Sequence, residues 1–249
     1  MPHEHRALRQ AKNGRPPIRF ANAPLLCGHL RFSMIRALVF DFDGLILDTE
    51  TPLIEAYGDV HAAHGRPFDR SNFLRCIGHV DIVFDEWAAF GKTADRVELH
   101  RQMRESYERR IVLQPILPGV VALLDAADAA GLRYALASNS SHAHCERHLG
   151  RIGLRERFAF LACREDVASP KPEPDIYRLA VNRLGARPHE AIAFEDSAAG
   201  SIAARRAGLW VVAVPNESTA LHDLDRAHLR VKSLAEVTLA ELSAKFAGK

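Results

Sequence analysis

Apolar and polar positions along this 249-residue chain change their spacing twice. The stretch Ile35-Arg36-Ala37-Leu38-Val39-Phe40-Asp41-Phe42-Asp43-Gly44 is apolar from Ala37 on, interrupted by nothing but two aspartates. Such a run is the pattern of a strand buried on both faces, as in a parallel sheet under helices. Gly44 then lets the chain turn sharply. Past the turn the spacing becomes helical, with Leu53, Ile54, Tyr57 and Val60 on one face, Thr49 or Thr51 before Pro52 as the cap, and an end near His64. Further helices are expected near 70–76, 79–90 and 94–112, the last charged on its outer face from Glu98 through Arg110. No strand breaks this run, so residues 50–116 read as an all-helical insert, closed by Pro115 and Pro118-Gly119.

The spacing then alternates. A helix over 119–130 leads to a strand over Arg133–Ala137, a helix over 142–150, a strand near Phe158–Ala162, and a helix over 173–184. A strand over Ala191–Phe194, a helix over 197–207 and a strand over Trp210–Val214 complete the series. This βαβ repetition predicts an α/β fold with a parallel sheet, residues 34–49 and 117–249 forming the core and 50–116 a helical cap. Right-handed crossovers bring all strand ends to one edge, where open α/β sheets bind their ligands.

The residues just past each strand therefore carry the chemistry. The first strand ends in Asp41-Phe42-Asp43-Gly44, the next in Ser138-Asn139-Ser140, and a later one in Glu195-Asp196-Ser197. Between them Ser169-Pro170-Lys171-Pro172-Glu173-Pro174 sets a lysine between prolines, which limits where its ammonium can point. Each stretch has a plainer reading when taken alone: aspartates, serines and asparagines after strands usually cap helices or make turns, and a loop lysine is usually solvated.

Composition narrows the class. With 47% hydrophobic and 26% charged residues the chain is ordinary for a globular protein, and no apolar run approaches the roughly 20 residues that span a bilayer. Cys27, Cys76, Cys145 and Cys163 are scattered, without the paired spacing of a zinc site, and read as reduced cytoplasmic thiols. The formal charge of +2 is unevenly divided. Residues 1–33 hold six Lys or Arg to one acid, whereas residues 34–249 hold 27 to 30. That basic stretch, with Pro16-Pro17 and no periodicity, reads as a disordered leader preceding a candidate start at Met34, ahead of a transit peptide or a nucleic-acid arm.

Taken together and in this order, the four stretches resemble the signature motifs of the haloacid dehalogenase superfamily. The helical insert after the first motif looks like that superfamily's C1-type cap, and the whole resembles its β-phosphoglucomutase-like phosphatases, including Asp48-Thr49-Glu50 below the cap. The resemblance covers residues 34 to about 215. It implies Asp41 as nucleophile, Asp43 as general acid and then base, and Ser138, Asn139 and Lys171 around the phosphoryl group. It implies Mg²⁺ held by the Asp41 carboxylate, the Asp43 main-chain carbonyl and Asp196, with Glu195 behind them. The charges agree: two carboxylates about 4 Å apart repel by roughly 4 kcal/mol at an effective dielectric of 20, so four acids together call for a hard cation.

The activity so implied is hydrolysis of a small phosphorylated metabolite, with no nucleic-acid or membrane partner and a monomer as the default. A sugar-phosphate mutase and a non-catalytic phospho-ligand-binding protein are the alternatives. Two departures from the mutase pattern favour hydrolysis: Leu53 stands where the mutases carry a histidine, and Gly78-His79-Val80-Asp81 offers a carboxylate where they place a phosphate-binding arginine. Within the cap, His79, Asp81 and Trp87 are the candidates for setting specificity, each as readily a packing or surface residue.

Overall fold

The protein is described from a computed structural model over residues 34–77 and 84–247. The leader over 1–33 and the cap candidates His79 and Asp81 lie outside the described residues. Six parallel strands form one sheet in the order β3-β2-β1-β4-β5-β6. They are β1 (Ala37–Phe40), β2 (Arg133–Ala137), β3 (Phe160–Ala162), β4 (Ala191–Glu195), β5 (Trp210–Ala213) and β6 (Leu229–Arg230). The expected burial of β1 on both faces holds at all four of its residues.

Alternation along the strands sorts large from small. Leu38, Phe40, Tyr134, Leu136, Ile192, Phe194 and Val212 point to one face. There they meet α4 (Val120–Ala129), α5 (His142–Arg151) and α8 (Leu239–Phe246). The opposite face presents mainly small residues, Ala37, Val39, Ala135, Ala137, Ala191 and Ala193, to α6 (Asp175–Leu184) and α7 (Ala198–Arg206). With so few large side chains there, α6 packs across β1, β2 and β3 together. That places Tyr177 and the loop ahead of α6 beneath the centre of the sheet's carboxyl edge.

Between β1 and α4 the chain is helical, as expected, with α1 (Glu50–Ala63), α2 (Arg70–Leu74) and α3 (Arg96–Ile111). Ile54, Tyr57, Val60, Phe73, Trp87, Leu99 and Met103 form an apolar cluster apart from the two that cover the sheet. The segment's two ends run side by side, with Leu47 bridged to Ile116 and Leu117 N–H donating to Ile46 O at 2.9 Å.

Two expectations need correction. Residues 84–90 of the helix expected over 79–90 form a turn and a short 3₁₀ stretch, Ala88–Phe90. Phe84, Trp87 and Phe90 recur every three residues, which is the 3₁₀ period, and their rings pack edge-on against Phe73, His61 and one another. The cap of α1 is not a threonine hydroxyl: Asp48 Oδ1 accepts Thr51 N–H at 3.0 Å while Thr49 turns inward. Past Val214, where no elements were assigned from sequence, the chain forms β6 and α8, whose Thr238 and Glu241 make a reciprocal capping box.

Candidate active site

The sheet's carboxyl edge brings all seven expected residues together. Asp41 comes directly after β1, its N–H donating to Phe194 O at 3.0 Å, so its side chain leaves the edge beside Glu195 and Asp196 at the end of β4. Carboxylate oxygens of Asp41, Glu195 and Asp196 lie within 4.8 Å of one another, and all three residues are buried. Gly44 is needed for the turn beneath them. Its φ is +74°, and a Cβ there would come within 2.4 Å of both Asp196 Oδ2 and Asn216 Nδ2.

Lys171 is 4% exposed and bridges two of these acids, with Nζ 2.8 Å from Asp41 Oδ1 and 2.6 Å from Glu195 Oε1. Burial alone lowers the ammonium's pKa, yet the charges of Asp41 and Glu195 outweigh it and hold the pKa above its ordinary value. Glu195 is fully engaged. Its Oε1 also accepts Tyr177 O–H at 2.5 Å, and its Oε2 accepts Ser197 N–H at 3.2 Å and Ser197 O–H at 3.1 Å. These contacts place Glu195 as the brace for Lys171, whereas the Asp196 carboxylate accepts from Asn216 Nδ2 at 2.9 Å.

Asn139 lines the cavity and is half-buried. Its Oδ1 accepts Lys171 N–H at 2.9 Å and its Nδ2 donates to Lys171 O at 3.4 Å, so it clamps the main chain that carries the ammonium. Ser138 O–H donates to Asp43 Oδ2 at 3.2 Å. Three further donors, none of them expected to pair with Asp43, converge on the same carboxylate: Thr49 O–H at 2.7 Å, Ser140 O–H at 2.7 Å and His144 Nε2 at 2.9 Å. Burial raises the Asp43 pKa, but the His144 contact and the two hydroxyls overcome it and hold Asp43 well below the usual carboxylate range.

Its neighbours behave in the opposite way. Burial, and after it the charge of Glu195, pushes Asp41 up to about 7 despite Lys171. Burial, and after it Glu50 and Asp41, pushes Asp196 well above its ordinary value. Glu50, at the start of α1, is pushed up to about 9 by burial and by Asp43 and Asp41, and its Oε2 is buried without a hydrogen-bond partner. The single Lys171 ammonium does not offset Asp41, Glu50, Glu195 and Asp196 together, and the atoms these acids offer a cation are all oxygens. A hard divalent cation fits that set, and magnesium more readily than zinc or copper.

These groups floor a cavity of about 360 Å³. Its other wall comes from the helical segment: Leu53, Ile54, Phe73, Cys76, Ile77 and Tyr107. The third cap candidate, Trp87, is absent from the lining. It is wholly buried among Tyr57, His61 and Phe90, with its indole N–H directed to His100 Nδ1 at 3.1 Å, and is a packing residue.

The donors missed by sequence reading had partial signals. Asn216 lies just beyond β5, at the same edge. His144 lies within the first turn of α5, where side chains lean back over the helix N-terminus toward that edge.

A strand-end acid cluster, a proline-flanked lysine and a helical wall over one edge of a parallel sheet define the class. The chain belongs to the haloacid dehalogenase-like hydrolases, whose family model matches residues 35–208. Over 215 residues it is 40% identical to a Bacillus subtilis (strain 168) protein named "Putative phosphatase YhcW", covering 84% of this chain and 96% of that one. It is 32% identical over 221 residues to hexitol phosphatase B of Escherichia coli (strain K12), covering 84% and 96% respectively. Among solved structures it is similar to a mutant of CbbY from Rhodobacter sphaeroides in complex with xylulose-(1,5)bisphosphate. That match has a TM-score of 0.70 and 30% identity, and covers 84% of this chain and 99% of the other.

Proposed function

We propose that this chain is a magnesium-dependent phosphatase that hydrolyses a small, sugar-phosphate-like monoester through an aspartyl phosphate on Asp41. The observation that carries the reading is the buried Asp41–Lys171 pair beside Asp196, on the floor of a cavity sized for a small ligand. The phosphatase names of two relatives and the bisphosphate complex of a third support the same class.

An oxygen of Asp41 attacks phosphorus in line, the ester P–O bond breaks, and the leaving oxygen takes a proton. Lys171 offsets charge on the phosphoryl oxygens while Asn139 fixes its main chain. Asp43 supplies that proton and later takes one from the water that attacks the aspartyl phosphate, which frees Asp41 and inorganic phosphate. Thr49, Ser140 and His144 favour ionised Asp43, which suits the second half. For the first half the proton reaches Asp43 from His144 Nε2, 2.9 Å away. Asp41, Asp196 and the Asp43 main-chain carbonyl would hold Mg²⁺, which when bound neutralises phosphoryl charge.

Residues 50–116 act in this reading as a cap that excludes water from the aspartyl phosphate, hinged near Asp48–Glu50 and Leu113–Pro118 beside the Leu47–Ile116 bridge. The test is a panel of phosphate monoesters assayed with Mg²⁺, with EDTA and with Ca²⁺. Turnover should vanish on chelation and return with Mg²⁺, with Ca²⁺ a poor substitute because it prefers more ligands at longer distances. Activity that survives exhaustive chelation refutes the metal site. Glucose 6-phosphate forming from β-glucose 1-phosphate faster than any monoester releases phosphate would replace hydrolysis with the mutase reading.

A further inference from the structure

We infer that Asn216 is a positioning residue for the divalent cation: its amide ties the turn after β1 to the end of β4 and so holds the Asp196 carboxylate in the rotation that serves the ion. This rests on the magnesium reading above and concerns how tightly the ion is held.

The amide has a single workable orientation. Asn216 Oδ1 accepts Ser218 N–H at 2.8 Å, Thr219 N–H at 3.0 Å and Thr219 O–H at 3.3 Å. Its Nδ2 donates to Gly44 O at 3.0 Å and to Asp196 Oδ2 at 2.9 Å. Main-chain N–H groups only donate and carbonyl oxygens only accept, so an amide turned over would lose its partners at both ends. The loop beneath it is anchored as well. Thr219 is wholly buried, and its Oγ1 accepts Asn216 N–H at 3.0 Å.

What the amide joins gives it a role. Gly44 O follows directly on Asp43, whose main-chain carbonyl is one proposed ligand, and Asp196 is another. One side chain from beyond β5 therefore sets the spacing between two segments that hold the ion. The fit is close, since a Cβ on Gly44 would come within 2.4 Å of both Asn216 Nδ2 and Asp196 Oδ2.

The choice of an amide also has a physical reason. Asp196 is 1% exposed and is faced by the charges of Glu50, Asp41 and Glu195, which tend to turn its carboxylate away. A neutral donor steadies that carboxylate without adding a charge that would compete with the cation, as a second ammonium would. Asn216 does not line the cavity, so it acts through Asp196 and not on the substrate.

The experiment is calorimetric titration of the full chain with MgCl₂, without substrate. Asn216→Ser keeps an oxygen that can accept the loop N–H groups but loses both amide protons. Its Kd for Mg²⁺ should rise by about 10–100-fold, the effect usual when the partner of a metal ligand is removed. Thr219→Val loosens the loop but leaves the two amide contacts in place, and its Kd should rise far less. Glu217→Gln, next in the chain and paired only at the surface with Arg70 at 3.6 Å, should keep the parent Kd. The rise in Tm on adding Mg²⁺ is the second reading, and it should shrink in Asn216→Ser even if that variant is less stable without the ion. An unchanged Kd in Asn216→Ser, or an equal rise in Thr219→Val, would confine the amide to holding its own loop. Either result overturns the inference and leaves the magnesium reading standing. No binding of Mg²⁺ by the parent chain overturns both.

Discussion

The two ends of the cavity are built by opposite means. At the sheet end, Asp41, Asp43, Asn139, Lys171, Glu195 and Asp196 each meet a named partner, although these six residues lie up to 155 positions apart in sequence, Asp41 to Asp196. At the helical end Leu53, Ile54, Phe73 and Ile77 present apolar surface, with the unpartnered Glu50 oxygen at their border. One end fixes charge and geometry and so governs what is done to the phosphate. The other offers shape, and in the proposed reading it meets the molecule that carries the phosphate in.

Changes at the sheet end should accordingly affect all substrates alike, and the largest effect is expected at Lys171. Lys171→Met removes the ammonium between two buried carboxylates and should cost about 3–5 kcal/mol of stability, the penalty for breaking a buried pair. Denaturant unfolding measures it, and turnover should fall to background with every monoester. A stable variant with ordinary turnover would show that the pair does not organise this end.

Next is Gly200→Ala. A Cβ on Gly200 would lie 1.8 Å from Glu195 Oε1, so the brace of Lys171 must move. Overpacking of this kind costs about 1–3 kcal/mol, and kcat should drop by a common factor across substrates while their ranking stays fixed. Phe73→Leu, at the helical end, reverses that signature. It should cost about 1 kcal/mol, and kcat/KM should change unequally between bulky and small leaving groups. A uniform change would argue that the helical wall does not touch substrate.

This difference also explains what was legible in the chain. β2 begins and ends where the apolar run over Arg133–Ala137 does, and β4 extends the expected strand by one residue, because a strand buried on both faces leaves an unbroken signal. The chemistry at the strand ends was equally visible, since a parallel sheet delivers the residues past its strands to one edge. The second layer was not. His144 reaches Asp43 across 101 residues of sequence, and nothing at either position announces the meeting. Thr49 reads as a helix cap, and only the geometry shows Asp48 taking that task while the Thr49 hydroxyl turns to Asp43.

The helical segment hid more. Its aromatic spacing imitates a helix over 84–90, yet the rings pack around a 3₁₀ turn, and packing of this kind leaves little local trace. At the other extreme β6, with two residues, is too short to show a period. No helix was expected past Val214, and α8 shows its capping box at Thr238 and Glu241 and its apolar face of Leu239, Leu242 and Phe246 only in the structure.

The smallest expected effect lies beside the sheet end. His148 is 2% exposed against Phe42 and His144, and burial, then the charges of His144 and Arg147, pushes its pKa down to about 4 from an ordinary 6.5. The unfolded chain therefore takes up this proton before the native state does. Stability from neutral His148 is present above pH 6.5 and is lost as the pH falls toward 4. His148→Gln should flatten that loss by on the order of 1 kcal/mol at pH 5 after allowance for solvent screening, read as a smaller fall in Tm between pH 7 and pH 5 than in the parent. An identical fall in both proteins would remove His148 from the acid sensitivity.

The most direct test of the proposed chemistry is acid quenching during turnover of a ³²P-labelled monoester with Mg²⁺, and then peptide mapping. The expected result is a hydroxylamine-sensitive label on the peptide that contains Asp41, lost in Asp41→Asn together with turnover while the circular dichroism of that variant stays that of the parent. Persistent steady-state hydrolysis by purified Asp41→Asn, or a label that remains when Asp41 is replaced, would contradict Asp41 as the nucleophile.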